Sequence, residues 1–138
     1  MSGFSDYLED KVLDHVFGGN AYSAPGTLYV ALYTVAPSDT GGGTEVSGGA
    51  YARQTGAFTV SGTNPTTATN SAAIEYPTAT ANYGTVVAVG ILDASSSGNL
   101  LAYSTLDASK VVSSGAVSYT HLRAHETVLD LVCRLLLE

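Results

Sequence analysis

Thr27-Leu-Tyr-Val-Ala-Leu-Tyr-Thr34 alternates with a period of two. Leu28, Val30 and Leu32 fall on one side, and Tyr29, Ala31 and Tyr33 on the other. That period belongs to a β-strand, whose successive side chains leave opposite faces. Neither set is charged, so both faces are expected to be covered, and 27–34 reads as a central strand. Downstream, Pro37-Ser38-Asp39 breaks the pattern and 40–49 is a glycine-rich loop. A second strand over 51–61 sets Ala52, Gln54, Phe58 and Val60 against Tyr51, Arg53, Thr55 and Thr59. Gly62-Thr63-Asn64-Pro65 is a turn. A weaker strand spans 67–76, and 84–93 is the most apolar, with Val86, Val87, Val89, Ile91 and Leu92. After a Ser/Gly turn, strands over 100–106 and 110–118 complete the series. Strands separated by Gly, Pro and Ser turns, with no interleaved helices, predict a mainly β protein. The expected fold is an antiparallel β-sandwich, jelly-roll-like, with one N-terminal α-helix.

The helix is predicted over 4–17. Phe4, Leu8 and Val12 are spaced by four, and Tyr7, Leu13, Val16 and Phe17 broaden the same stripe. Ser5 is placed to accept amide hydrogen bonds at its start, where Asp6 and Glu9 also suit the positive end of the dipole. Gly18-Gly19-Asn20 ends it. Asp6, Asp10, Lys11 and Asp14 form its polar face. The helix is a candidate anchor for neighbouring subunits.

Residues 117–138 stand apart. Val117-Ser-Tyr-Thr-His-Leu-Arg-Ala-His-Glu-Thr127 resembles the translation of a transposase-type sequencing-library adapter. Leu131-Val-Cys-Arg-Leu-Leu-Leu-Glu138 resembles the distal end of the same adapter, in frame and in order. The gap between them has the length of a sample barcode. We therefore expect a single native domain over 1–116 and a non-native tail over 117–138, excluded from fold reasoning. On propensity alone, 117–120 is expected to extend the last strand, and much of 124–137 to be helical.

Residues 1–116 carry three basic side chains (Lys11, Arg53 and Lys110) against nine acidic ones. Binding a nucleic-acid backbone needs clustered Lys and Arg, so no nucleic-acid partner is expected. The same balance disfavours anionic membranes, and no apolar run is long enough to insert. The N-terminus shows no signal-peptide pattern. The one cysteine, Cys133, lies in the tail, so no disulfide or thiolate metal site is expected in the domain.

His121, His125, Glu126 and Cys133 imitate a zinc cluster, but the adapter reading accounts for all four. His15 after Asp14 fits a helix C-terminus better than catalysis. Glu45, Glu75, Asp93 and Asp39 offer carboxylate pairs of the kind glycoside hydrolysis requires, with nothing to single out any pair. Asp39-Thr-Gly-Gly-Gly-Thr-Glu45 lacks the ligand pattern of a calcium or phosphate loop, and its glycines suit a mobile hairpin excursion. No catalytic, cofactor-binding or metal residue is assigned, and no cofactor is expected. Tyr29, Tyr33, Tyr51, Tyr76, Tyr83 and Tyr103 lie on or beside strands. They are either core or an exposed cluster suited to a protein interface or to carbohydrate stacking. Arg53 reads as a salt bridge to an acid such as Glu45, or else as an intersubunit pair.

Three stretches carry a family resemblance. They are 4–19 running into 27–34; Glu45-Val-Ser-Gly-Gly-Ala-Tyr-Ala-Arg-Gln54; and Tyr76-Pro-Thr-Ala-Thr-Ala-Asn-Tyr-Gly-Thr-Val-Val-Ala-Val-Gly-Ile-Leu-Asp93, continuing to Tyr103. Together, over about 3–116, they are similar to small structural proteins of tailed bacteriophages, described as tail-fibre-like or virion proteins. The resemblance implies a non-enzymatic virion component, assembled in the host cytoplasm, with other virion proteins as partners and a homo-oligomeric state. It supplies no active-site residues. Relatives look to continue past 116 with a further strand, so an exposed edge and a tendency to aggregate are expected here. Two other readings stay open: a capsid decoration or head-fibre protein, and a carbohydrate-binding sandwich that meets a host-surface glycan. A glycosidase comes last.

Overall fold

The computed structural model describes residues 2–116, 118–125 and 130–137, the last two segments by backbone. Two open antiparallel sheets pack face to face, with one short helix near the N-terminus. This is the sandwich that the turn spacing predicts.

The first sheet is built on β2 (Leu28–Val35), β8 (Gly84–Leu92) and β9 (Leu100–Val112). Its order is β1-β9-β8-β2-β3, with β1 (Ser2–Phe4) and β3 (Thr44–Glu45) at the edges, and β4 (Gln54–Gly56) also pairing with β2. Residues 30–33 of β2 are all buried, as a strand apolar on both faces must be. Val30 and Leu32 enter the inter-sheet core with Val46, Ile74, Tyr76, Val86, Val89 and Val112. Ala31 and Tyr33 join Ala88 and Leu92 in a second cluster on the opposite face of the sheet.

The second sheet runs β11-β10-β6-β5, with β7 (Ile74–Glu75) on β10. Its strands are β5 (Phe58–Ser61), β6 (Thr67–Asn70), β10 (Ser118–His125) and β11 (Asp130–Leu137). The strand predicted over 51–61 is in fact two, one in each sheet. Gly56 is the corner: a Cβ there would meet the Phe58 ring at 2.8 Å and Val30 at 3.1 Å, so only glycine lets the chain cross. The strand predicted over 67–76 likewise divides into β6 and β7. Asn70 Nδ2 donates to Ala72 O at 2.6 Å across the break. The strands predicted over 100–106 and 110–118 join into β9 through an irregularity opposite Val86 and Ala88. β9 stops at Val112, where Gly115 (φ 89°) turns the chain.

The helix is α1 (Asp6–Val16), shorter than predicted because Phe4 belongs to β1, opposite Ala102. Ser5 caps it as expected: its Oγ accepts from Leu8 N at 3.2 Å. It ends at the predicted glycines, where a Cβ on Gly18 would lie 2.7 Å from the Asp14 carbonyl. Yet none of its residues is buried. The apolar stripe does not enter the core.

The helical expectation over 124–137 is overturned at 124–125 and 130–137, while 126–129 lie outside the described residues. Ser118 to His125 pairs residue by residue with Leu137 to Asp130 in an antiparallel ladder. Strand pairing outweighs helix propensity, a weak preference that tertiary context overrides. Ser118 to Thr120 are extended, but in β10 of the second sheet, not as a prolongation of β9; Val117 lies outside the described residues.

Candidate functional site

The outer face of the first sheet is covered locally by three chain segments. The start of α1 is pinned to the sheet by Ser5 N donating to Leu101 O (2.8 Å) and Ser5 Oγ donating to Leu100 O. The β2–β3 loop reaches back so that Asp39 O accepts from Asp6 N (2.8 Å). This is the glycine-rich excursion expected from the sequence, closed by reciprocal bonds between Ser38 and Gly41 (2.9 and 2.8 Å). Gly43 (φ 76°) has no room for a side chain, since a Cβ would lie 2.6 Å from Val35 O. The third segment is the β8–β9 turn. Asp93 holds it, accepting from Asn99 N (2.7 Å) and Asn99 Nδ2 (2.8 Å). These bonds and the Arg53 charge hold the Asp93 carboxyl low against the opposing effect of desolvation.

Between these segments lies a groove of about 460 Å³. Tyr33, Leu92 and Leu100 line it, with Asp6, Tyr7, Asp39 and Thr40 on the helix and loop side, and Glu45, Arg53 and Asn99 across from them.

Arg53 is the clasp of this region. Its Nε donates to Glu45 Oε1 (2.8 Å) and Nη2 to Glu45 Oε2 (2.7 Å), a bidentate pair. Nη1 donates to Ala94 O (2.9 Å) and Ser97 O (2.7 Å), tying the β8–β9 turn to the same guanidinium. Tyr51 adds its hydroxyl, donating to Glu45 Oε1 (2.9 Å) while accepting from Leu32 N (3.0 Å). Burial alone would raise the Glu45 carboxyl; the bonds from Arg53 and Tyr51, with the guanidinium charge, bring it below its ordinary value. Hydrogen bonding to Glu45 raises Arg53 in turn. Burial, with the Glu45 charge, pushes Tyr51 up strongly. The salt bridge that the sequence suggests between Arg53 and Glu45 is therefore formed within the chain.

Tyr33, Tyr51, Tyr76, Tyr83 and Tyr103 belong to the packed interior rather than to an exposed cluster, and Tyr29 is half-buried. Tyr33, Tyr76, Tyr83 and Tyr103 are buried. Tyr51 stacks on Tyr76 (6.0 Å between centroids, 9° between planes) and meets Tyr83 edge-on (5.7 Å, 81°). Tyr76 donates to Val30 O (2.9 Å). Tyr103 donates to Asp39 Oδ1, and that bond, followed by burial, pushes its hydroxyl up to about 12.

Of the four acids considered for hydrolysis, the fold brings only Glu45 and Asp39 to the groove. Asp93 is engaged by Asn99, and Glu75 is exposed on β7 of the other sheet. His15 lies in the last turn of α1, at the helix C-terminus where the sequence places it, its Nδ1 3.0 Å from Asn20 O and 3.3 Å from Tyr22 N. The side chains of His121, His125, Glu126 and Cys133 lie outside the described residues. Among the described residues, no three His, Cys, Asp or Glu side chains form a group able to hold a metal, and no helix is long and apolar enough to cross a membrane. Sequence reading did not anticipate Tyr7, Asn99 or the role of Tyr33 in the groove. Their juxtaposition comes from loops distant in sequence and leaves no local pattern.

No curated protein matches the chain significantly. The family model described as podophage GP4 fiber I protein gp80 matches residues 3–126, and the chain belongs to this family of podophage fibre proteins, which makes it a virion component.

Proposed function

We propose that the chain is a non-enzymatic building block of the phage tail fibre, assembled with copies of itself and with other virion proteins. The observation that carries this reading is α1. Leu13 and Val16, with Phe17 at the C-cap, are 57 %, 63 % and 83 % exposed, and the helix has no buried residue. Contiguous apolar surface of this kind marks an interaction site. The commitment of Glu45, Asp93 and Asp39 to protein hydrogen bonds suits a structural role. Placement on the tail rather than the capsid rests on the fibre description of the family.

Gold-labelled antibody on intact particles and light scattering of the purified chain test this together. Label at the tail is expected, with a mass that is a whole multiple of the monomer. Phe17→Glu should shift that mass towards the monomer and leave the melting temperature unchanged. Label on the head would transfer the protein to the decoration reading. A monomer at all concentrations, indifferent to Phe17→Glu, would refute the assembly role.

A further inference from the structure

We propose that α1 docks on a second copy of the chain, its apolar stripe over 12–17 lying on the outer face of the first sheet around Thr85 and Val111. The inference rests on the reading of α1 as the assembly surface and names what that surface meets. From Lys11 onward the helix turns charge inward and apolar residues outward. Lys11 and Asp14 are half-buried, Lys11 over the Tyr7 ring (5.7 Å) and Asp14 accepting from Asn20 Nδ2 (2.8 Å). Val12, Leu13, Val16 and Phe17 are exposed. A stripe turned away from its own chain needs a covering surface outside that chain. The same chain carries a second uncovered apolar surface. Val112 is buried between the sheets, so its neighbour Val111 points to the outer face, where it is 62 % exposed. Thr85 stands opposite Val111 on β8 and is exposed too. Val87 on the same strand is half-buried, and Val35, at the end of β2, is 56 % exposed. Three adjacent strands at about 4.8 Å spacing make a bed roughly 10 Å wide, the width of one helix. In its own chain α1 starts beside Leu101, at the opposite end of β9 from Val111. The two surfaces therefore meet only between copies.

Charge selects this pairing over two α1 helices facing each other. Asp6, Glu9 and Asp10 are exposed on α1, and Lys11 is turned away over Tyr7. Packed helices lie about 8–10 Å apart, within about one Debye length, so a parallel pair would set the acids of both copies against each other. An antiparallel pair relieves that repulsion but leaves Val35 and Val111 uncovered. The sheet face suits the helix better. In sequence the charges nearest Val111 are Lys110 and Asp107, one of each sign, so this face meets the acidic helix without net repulsion. Arg53 is paired with Glu45 and Lys11 sits over Tyr7, which leaves Lys110 as the cation without a partner among the described residues. The acids beside the stripe offer it one. Because the two surfaces differ, the contact is head-to-tail, and successive copies close into a ring or run on as a file.

Light scattering of the full chain across a concentration series, with two variants alone and mixed, tests it. Phe17→Glu spoils the helix and Val111→Glu the sheet face. Each should weaken self-association at least about tenfold and leave the melt unchanged, since both residues are exposed. Mixed one to one, the variants should run at twice the monomer mass at a concentration where each alone is monomeric. Val111→Glu still offers a helix and Phe17→Glu still offers a sheet face, so one contact is restored. Thr85→Glu, across from Val111, should reproduce Val111→Glu and takes its place if that variant melts low. Sheet variants that associate like wild type, beside a monomeric Phe17→Glu, would overturn this contact and leave the assembly role standing. A mixture that stays monomeric would overturn the head-to-tail arrangement. A wild type monomeric at every concentration would remove the contact and the assembly role together.

Discussion

Replacing Arg53 with alanine should be among the most damaging single changes outside the core. The side chain makes two bonds to Glu45 and one each to Ala94 O and Ser97 O. Arg53 is 10 % exposed at its side chain and Glu45 25 %. The pair therefore lies between an exposed ion pair, worth about 0–1 kcal/mol, and a fully buried one, whose breaking costs about 3–5 kcal/mol. A loss of about 2–3 kcal/mol follows for Arg53→Ala, or roughly a 6–15 °C drop in melting temperature for a domain of this size. Glu45→Gln should cost less, since the two carbonyl bonds to the turn survive. The double variant should cost less than the sum of the singles by at least about 1 kcal/mol, because both remove the same interaction. Calorimetry on the four proteins measures all of this. Glu45 also gives the effect a pH signature. Its carboxyl sits lower folded than unfolded, so its contribution is complete above about pH 4.3 and is lost as pH falls through the folded value. The gap between the wild type and Glu45→Gln should therefore narrow below about pH 4. An Arg53→Ala melt within about 2 °C of wild type, or strictly additive singles, would refute the clasp.

Gly90→Ala should destabilise by about 1–3 kcal/mol, because its Cβ would press on Leu100 at 2.8 Å and on the Tyr33 ring at 2.9 Å; an unchanged denaturant midpoint would show that the outer face has slack. Tyr103, pushed up to about 12, contributes stability that is complete below about pH 10 and is lost as pH rises through the folded value. Denaturation between those limits should show Tyr103→Phe losing less stability than wild type, and parallel losses would count against the Asp39 bond. Sequencing the gene across the Ala116 codon from adapter-free DNA should give a continuation different from residues 117–138, and recovery of the same codons would refute the adapter origin proposed for them.

Much of the architecture is legible where a strand's pattern depends only on itself. Residues 27–34 announce a central strand covered on both faces, and Ser5 with Gly18 and Gly19 brackets the helix. The reading fails where partners decide. Gly56 looks like an ordinary strand residue until Val30 and Phe58 crowd it from two sheets. The stripe on α1 has the period of a core-facing helix, yet period alone does not say whether the covering surface lies in the same chain. The site divides in the same way. Arg53 and Glu45 could be paired in advance because cations are so scarce. Tyr33 could not be placed, because the loop at 36–43 and the turn at 94–99 enclose its surroundings from opposite directions in the chain.

The second sheet makes one demand that holds whatever codes its middle. Among the described residues, β7 joins that sheet only through β10, at Tyr119 and Thr120, while β6 meets β10 at 123–125. A strand must run between these two contacts, or Ile74, which is buried in the core, loses its neighbour on that side. The family match extends to 126 and so spans the whole of β10. If 117–138 is adapter-derived, the native continuation should therefore also be a strand with alternating pattern, long enough to reach from β7 to β6. A chain carrying that continuation should melt higher and resist aggregation better than this one, because its edge would be paired by residues selected for the place. Light scattering after size exclusion, together with thermal melts of the two chains, compares them directly. A native continuation rich in Gly and Pro, or a clean and cooperatively melting monomer from the present chain, would break the argument.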